Sequence, residues 1–322
     1  FARLAAGLLI ALGLAGLLVQ RLAAPDAPAP AAPPMVARPV VPPPAADGKD
    51  VGRVLPLFVV EIEVRPQEGF DFDGELYRRR LEGFAERFDD LVVVSRRSPD
   101  YRPPDGQPIY AFRLVALRDG NSTNGFYQLI NAADQRVLRS GALRIREPRP
   151  GPPPDDPVRP PPLDDDLDLV RDLVRAHGTI DHDLSRLTDL APELACLATV
   201  RRHEDDRDPA TRAAARACLE GVVAANPRLV PAMTRLAVEH LDDGLAGPRT
   251  DDDPLEACRR LLDRALRLAP ASAAPLAVLQ TLRLVEGDVA AATAAGRRAL
   301  EANPWDLTAV AAHGALLARA GS

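Results

Sequence analysis

Apolar positions change their spacing along the chain, and each change predicts a different structure. Leu4 to Val19 is an uninterrupted apolar and glycine run between two arginines. From Val54 apolar residues alternate with polar ones, which is typical of half-buried β-strands. Beyond residue 163 the chain is rich in alanine, leucine and arginine, which favours helices. The pattern predicts a multi-domain protein with an N-terminal transmembrane helix, a small α/β domain and a C-terminal all-α solenoid.

The apolar run predicts a membrane anchor over residues 1–23, with residues 4–19 in contact with the bilayer. It is shorter than the roughly 20 residues that span a hydrocarbon core. Arg3 and Arg21 can make up part of the deficit by snorkelling. A cleaved signal peptide is the alternative, because its apolar region is shorter still.

Proline marks two linkers. Of the 33 prolines, nine lie in residues 24–50 and nine in residues 148–162. Proline fixes φ and removes a backbone donor, so both stretches are expected to be extended spacers. They divide the remaining chain into an α/β domain at residues 51–147 and a helical domain at residues 163–322.

The first of these domains is predicted to have the order β-α-β-β-β-β. Its first strand lies near residues 54–64, and Asp73 is a candidate N-cap for the helix that follows. The later strands are expected at residues 91–95, 110–117, 126–130 and 137–145, with a turn-rich segment between residues 118 and 125.

Five segments of this domain resemble the TolB-like amino-terminal domain of bacterial membrane-bound regulators. They are Val54–Phe58, Asp73–Leu76, Val93–Ser98, Tyr110–Leu114 and Gln128–Ala132. The resemblance covers about 90 residues, and it implies a second helix between the second and third strands. This chain has only the short segment Pro99–Pro108 at that place.

The helical domain carries a repeat marked by Pro227, Pro270 and Pro304. The last two are 34 residues apart, which is the tetratricopeptide period, and the first two are 43 apart, which fits that period with an insertion around Leu245–Asp253. Gln280 and His313 depart from the apolar character of the repeat. The alternative is an unrelated helical bundle whose helices begin near prolines.

Stacked repeats leave a concave groove lined by the first helix of each pair. Nine residues are predicted to line it: Thr234, Val238, Leu241, Ala277, Thr281, Leu284, Ala311, Ala315 and Ala318. They are mostly small and apolar, with no basic clamp. We therefore expect the groove to take a helix or an extended apolar segment of a protein or peptide partner.

Charge and motifs argue against other chemistries. The net charge is −6 and the basic residues are scattered, so no nucleic-acid contact is expected. We find no catalytic residues and no cofactor or metal site, and we interpret the acidic runs Asp164–Asp166 and Asp251–Asp253 as solvated. Asp181-His182-Asp183 lacks a second ligand group, so a metal or acid–base role is not expected.

The cysteines leave two possibilities. Cys196 and Cys218 flank the loop His203–Pro209 almost symmetrically, so they can form a disulfide between paired helices or remain two buried thiols. An oxidising periplasm would permit the bond. Cys258 is expected in the core.

Together these features resemble the periplasmic half of transmembrane regulators that join a TolB-like domain to tetratricopeptides. The resemblance implies a non-enzymatic sensing region of a single-pass inner-membrane protein with periplasmic C-terminal domains. It also implies an upstream winged-helix or adenylate-cyclase domain, and because the sequence begins at Phe1 we interpret it as truncated upstream. The alternative is a membrane-tethered tetratricopeptide scaffold for envelope biogenesis, without a signalling output.

Overall fold

A computed structural model describes residues 54–94, 107–145, 163–206, 209–247 and 253–320. Within these ranges no helix is both long and apolar enough to cross a membrane. The prediction of a transmembrane helix as part of the fold is therefore unsupported. The run that suggested it, residues 4–19, lies outside the described residues, as do the two proline-rich linkers at 24–50 and 148–162.

The first half of the described chain forms one mixed sheet. Its elements are β1 (Leu57–Val64), α1 (Gly74–Ala85), β2 (Val92–Val93), β3 (Ile109–Asp119), β4 (Ser122–Asn131) and β5 (Arg136–Ile145). The strands lie in the order β2-β1-β3-β4-β5; β1 is parallel to both β2 and β3, and the remaining pairs are antiparallel. The element order is the one that the apolar alternation predicts.

The hairpin of β3 and β4 is longer than the apolar pattern indicates. Its ladder continues to the pair Asp119 and Ser122, through polar residues that the sequence analysis assigned to a turn. Gly120 has a φ of 59° in the two-residue turn, a conformation that costs glycine little. Alternation detects only the part of a strand that faces a core, so the solvated end of this ladder was missed.

The helix α1 covers one face of the sheet. Asp73 caps it by accepting a hydrogen bond from the Leu76 amide at 2.8 Å. Tyr77, Leu81 and Phe84 are buried against the sheet, while Leu76 is exposed.

Two helices that follow the sheet in the sequence also pack on its core. The helices α2 (Asp165–Val174) and α3 (Thr179–Leu184) were predicted to begin the solenoid. Their apolar residues instead share one buried cluster with the sheet and α1, including Leu169, Leu173 and Ile180. The predicted fold class is therefore corrected: the described residues form one mixed sheet and a set of helices, and α2 and α3 belong to the core of the sheet rather than to an all-α solenoid. The physical reason is that α1 alone leaves much of this apolar sheet face uncovered.

The remaining helices stack as successive hairpins. They are α4 (Pro192–Asp206) with α5 (Pro209–Ala225), α6 (Val230–Ala246) with α7 (Pro254–Leu268), α8 (Ala273–Val285) with α9 (Val289–Ala302), and finally α10 (Leu307–Ala320). Each of Pro227, Pro270 and Pro304 lies in the short loop between one hairpin and the next. We call α4 to α10 the helical array. The predicted groove residues lie on α6, α8 and α10, and we call these three helices the first helices.

Candidate partner-binding surfaces

Strands β1–β5 and α1 together, which we call the sheet unit, contact the helical array in two ways. Val54 and Leu55, just before β1, share a buried apolar cluster with Leu197 and Val200 of α4. The segment Glu86–Leu91, which follows α1 and leads into β2, adds polar contacts, and we call it the acidic loop. Its two aspartates contact different helices of the array, and its arginine contacts a tryptophan of the array. The apolar cluster and the acidic loop together fix how the sheet unit lies on the array.

Asp90 is held between two arginines of the array. It accepts hydrogen bonds from Arg201 of α4 and, at 3.1 Å, from Arg235 of α6. Burial alone would raise the pKa of Asp90, but the positive charges of Arg201 and Arg235 outweigh that effect and hold the pKa well below its usual range. Asp181 and Glu204 contact Arg201 at 3.2 and 3.7 Å, so the two arginines are balanced by three carboxylates.

The pKa of Asp89, the neighbouring residue, is shifted in the opposite direction. Its carboxylate accepts hydrogen bonds from the Ser272 hydroxyl at 2.7 Å and the Ala274 amide at 3.3 Å, so it caps α8 from outside that helix. Burial raises its pKa to about 6, and the hydrogen bonds from Ser272 and Ala274 offset this effect only in part. The negative charges of Asp90 and Asp306 act in the same direction as burial.

Aromatic and amide contacts complete the junction. The ring of Trp305 lies 5.0 Å from that of Phe84, and the Arg87 guanidinium lies 5.4 Å from the Trp305 centroid. Asn303 donates from its side chain to the Arg87 carbonyl oxygen at 3.0 Å. A cavity of about 30 Å³ remains near Asp90, far smaller than a ligand pocket, so the junction is packed.

Asp166 and Asp183 are both buried. Asp166 was predicted to be solvated, and Asp183 belongs to the acidic cluster for which no role was expected. Asp166 accepts from the Tyr77 hydroxyl at 2.7 Å. Asp183 accepts from Tyr110 at 3.0 Å, Asn131 at 3.0 Å and Arg136 at 2.7 Å. These donors all lie on the sheet unit, so the carboxylates fasten α2 and α3 to it. The expectation that Asp164–Asp166 is wholly solvated is wrong for Asp166.

The nine residues of the predicted groove have different exposures. Three are buried in helix packing: Thr234, Leu241 and Ala277. Three are half-buried: Thr281, Leu284 and Ala315. Three are exposed: Val238, Ala311 and Ala318. The surface offered by α6, α8 and α10 is therefore shallower than the prediction, because close packing of the helices takes up the innermost positions.

A second concave surface lies between α6 and α7. This basic cleft has a volume of about 500 Å³, and its lining residues are Leu236, His240, Ala257, Arg260, Leu261, Asp263, Arg264 and Arg267. Burial lowers the pKa of His240, and the nearby charge of Arg216 lowers it further, so the ring is neutral at pH 7. This cleft was not predicted from the sequence, although its arginines recur at helical spacing on α7.

A disulfide joins the first hairpin. Cys196 of α4 and Cys218 of α5 are bonded, with their Cα atoms 5.8 Å apart. Cys258 is a buried free thiol, and burial raises its pKa to about 12, so it is neither a thiolate nor a ready nucleophile. In the described part of the chain no group of three or more candidate ligands could hold a metal ion.

No protein-family model matches the chain, and no curated protein matches it significantly. The TolB-like and tetratricopeptide resemblances therefore stay predictions. The junction residues Asp89, Asp90, Arg201 and Trp305 were missed by the sequence analysis. Trp305 offered one signal, because the only tryptophan of the chain follows a repeat-marking proline, where an exposed aromatic would be costly.

Proposed function

We propose that the chain is a non-enzymatic protein-interaction module of the bacterial periplasm. Its partner is a helix or an extended apolar segment that lies along the first helices α6, α8 and α10. The observation that carries the proposal is exposed apolar surface on this row of helices: Val238 is 37% exposed, Leu245 is 42% exposed and Val285 is 36% exposed. Val238 and Leu245 are seven residues apart and so share one face of α6.

The junction supports a sensing role for the same module. Arg235 belongs to α6, on which the partner would lie, and it also binds Asp90 of the sheet unit. A partner that shifts α6 would therefore act on the acidic loop through a salt bridge. The disulfide between Cys196 and Cys218 supports the oxidising compartment, because such bonds persist mainly outside the cytoplasm.

The proposal is tested by site-specific photocrosslinking in the native host. A benzophenone amino acid replaces Val238 on α6 in one strain and Val289 on α9, which is 46% exposed, in the control strain. We expect a discrete protein adduct from position 238 that is absent from position 289. The substitution Leu245→Asp should abolish that adduct without changing the circular dichroism spectrum.

Two results would contradict the proposal. One is the absence of any adduct from position 238 in cells that contain the folded protein. The other is the same set of adducts from both positions, which would indicate non-specific proximity. A cytoplasmic location of the full-length protein after fractionation would separately exclude the periplasmic assignment.

A further inference from the structure

The basic cleft has an unusual distribution of charge. Arg260, Arg264 and Arg267 lie at helical spacing on α7, so their side chains follow one edge of the cleft. The whole chain has a net charge of −6, and a stripe of three arginines stands out against that acidic background. Asp263 is the single carboxylate among the lining residues.

The arginines of the stripe form few ion pairs with the residues that the structure describes. Arg260 approaches Glu256 at 4.0 Å, and its side chain is 69% exposed. Neither Arg264 nor Arg267 forms an ion pair with any residue that the structure describes. By contrast, Arg259 on the same helix is bound by both Glu256 and Glu286. The charge of the stripe is therefore available to a ligand.

The stripe is particular to this hairpin. The residues 34 positions later on α9, which occupy the corresponding places of the next hairpin, are Ala294, Arg298 and Glu301. A requirement of helix stacking would act on both helices in the same way. The difference indicates that the charges on α7 are not needed for the fold.

The lining of the cleft combines apolar and basic side chains. Leu261 is half-buried, Leu236 is 4% exposed, and the neutral ring of His240 also contributes. From Arg260 to Arg267 the helix rises about 10 Å, which is two turns of a ligand helix. A ligand that satisfies both features needs several carboxylates along one side and apolar groups along the other.

We propose that the basic cleft binds an acidic amphipathic segment of a partner protein. Apolar side chains of the segment pack on the half-buried Leu261, and its carboxylates pair with Arg260, Arg264 and Arg267. Bidentate pairing with guanidinium groups favours carboxylates at this spacing. Asp263 on the rim opposes a uniformly charged polyanion such as nucleic acid.

The test is binding of a synthetic peptide to the purified full chain. A fluorescein-labelled 18-residue helix of leucine and glutamate is titrated by anisotropy, beside a matched peptide in which every glutamate is glutamine. We expect saturable binding of the glutamate peptide alone. The double substitution Arg264→Glu and Arg267→Glu should weaken it by about tenfold, since two of the three ion pairs are replaced by repulsion between like charges.

The matched control is Arg297→Glu, an exposed arginine on α9 outside the cleft, which should leave the affinity unchanged. Four outcomes would overturn the proposal. They are no binding of the glutamate peptide, equal binding of the glutamine peptide, equal weakening by the control, and tighter binding of phosphatidylglycerol vesicles or of a single-stranded DNA oligonucleotide. Because the photocrosslinking test concerns another face, its failure and failure here are distinguishable.

Discussion

Two sets of helices in this protein look alike in sequence and are held in different ways. The helices α2 and α3 pack on the sheet, and buried carboxylates fasten them there through donors such as Tyr77 and Tyr110. The helical array packs helix on helix, through small residues and a disulfide. Both sets are short amphipathic helices after the same proline-rich stretch, so the sequence analysis placed them in one solenoid.

The position of each set of helices is therefore specified by a different kind of interaction. An aspartate buried without donors is costly, so Asp166 and Asp183 restrict α2 and α3 to the one position that supplies them. The array helices that contact the acidic loop also depend on largely buried charges. Elsewhere in the array, helix positions follow from shape, as where Gly296 lets Gln280 and His313 meet at 3.2 Å.

Breaking the carboxylate contact of α3 should have the largest effect. Asp183→Ala leaves Tyr110, Asn131 and Arg136 without their common acceptor in a site where the Asp183 side chain is only 3% exposed. We expect a loss of about 3–5 kcal/mol in the free energy of unfolding, measured by urea denaturation. The control Asp165→Ala, exposed in the first turn of α2, should cost under ~1 kcal/mol. Equal costs for the two would refute the idea that Asp183 fastens α3.

The junction between the sheet unit and the helical array should be less sensitive, because the Asp90 side chain is 35% exposed. Asp90→Asn removes the charge that Arg201 and Arg235 share, and we expect a loss of about 1–3 kcal/mol. Trp305 reports the junction by its fluorescence, which should shift to longer wavelength before global unfolding. Glu63→Gln, an exposed change on β1, should leave both properties unchanged. An unaltered Trp305 emission in the Asp90 variant would show that the acidic loop does not hold the junction.

Shape within the array can be tested at two glycines. A Cβ atom at Gly296 would lie 1.8 Å from the Gln280 side-chain oxygen, so Gly296→Ala should destabilise by about 1–3 kcal/mol. A Cβ atom at Gly314 meets nothing within 4 Å, so Gly314→Ala should be neutral or stabilising by up to ~1 kcal/mol. Thermal unfolding of the two variants gives the comparison. If Gly296→Ala is tolerated as well as Gly314→Ala, close packing at this site is not limiting.

The smallest effect should be a change in pH dependence. The pKa of Asp89 is about 6 in the folded protein, above its ordinary value of 3.8, so its ionisation opposes folding. Its stabilising contribution is complete below about pH 4 and is lost as the pH rises through about 6. Asp89→Asn should therefore flatten the slope of stability between pH 4 and pH 6, measured by urea denaturation at each pH.

Asp90 supplies the opposite control for that measurement. Its folded pKa is lowered, so its contribution is present above the unfolded value of about 3.8 and is lost as the pH falls from that value towards the folded pKa. Asp90→Asn should therefore alter the acid limb of the profile. Because the negative charge of Asp90 also helps to raise the pKa of Asp89, Asp90→Asn should reduce the slope between pH 4 and pH 6, but less than Asp89→Asn does. The same change of slope in both variants would mean that their pKa values are not shifted in opposite directions.

The candidate surfaces were predictable only in part. The period of Pro227, Pro270 and Pro304 located the first helices and hence the exposed Val238, but it could not show that Leu241 and Ala277 are buried by neighbouring helices. The basic cleft needs α6 and α7 together, because Leu236 and the arginines of α7 are distant in sequence. The departures at Gln280 and His313 looked like degeneracy of the repeat. In the structure these two buried polar side chains contact each other next to Gly296, so each supplies the other with a polar partner.

Local elements could be predicted from the amino-acid sequence alone. Alternation placed the strands in order, Asp73 marked the start of α1, and the repeat prolines marked the loops of the array, because these features depend on residues close in the chain. The surface that each helix contacts depends on tertiary packing. It joined α2 and α3 to the sheet and set Asp89 and Asp90 against different helices. The burial and charge of a side chain depend on what packs against it, and those partners are distant in sequence.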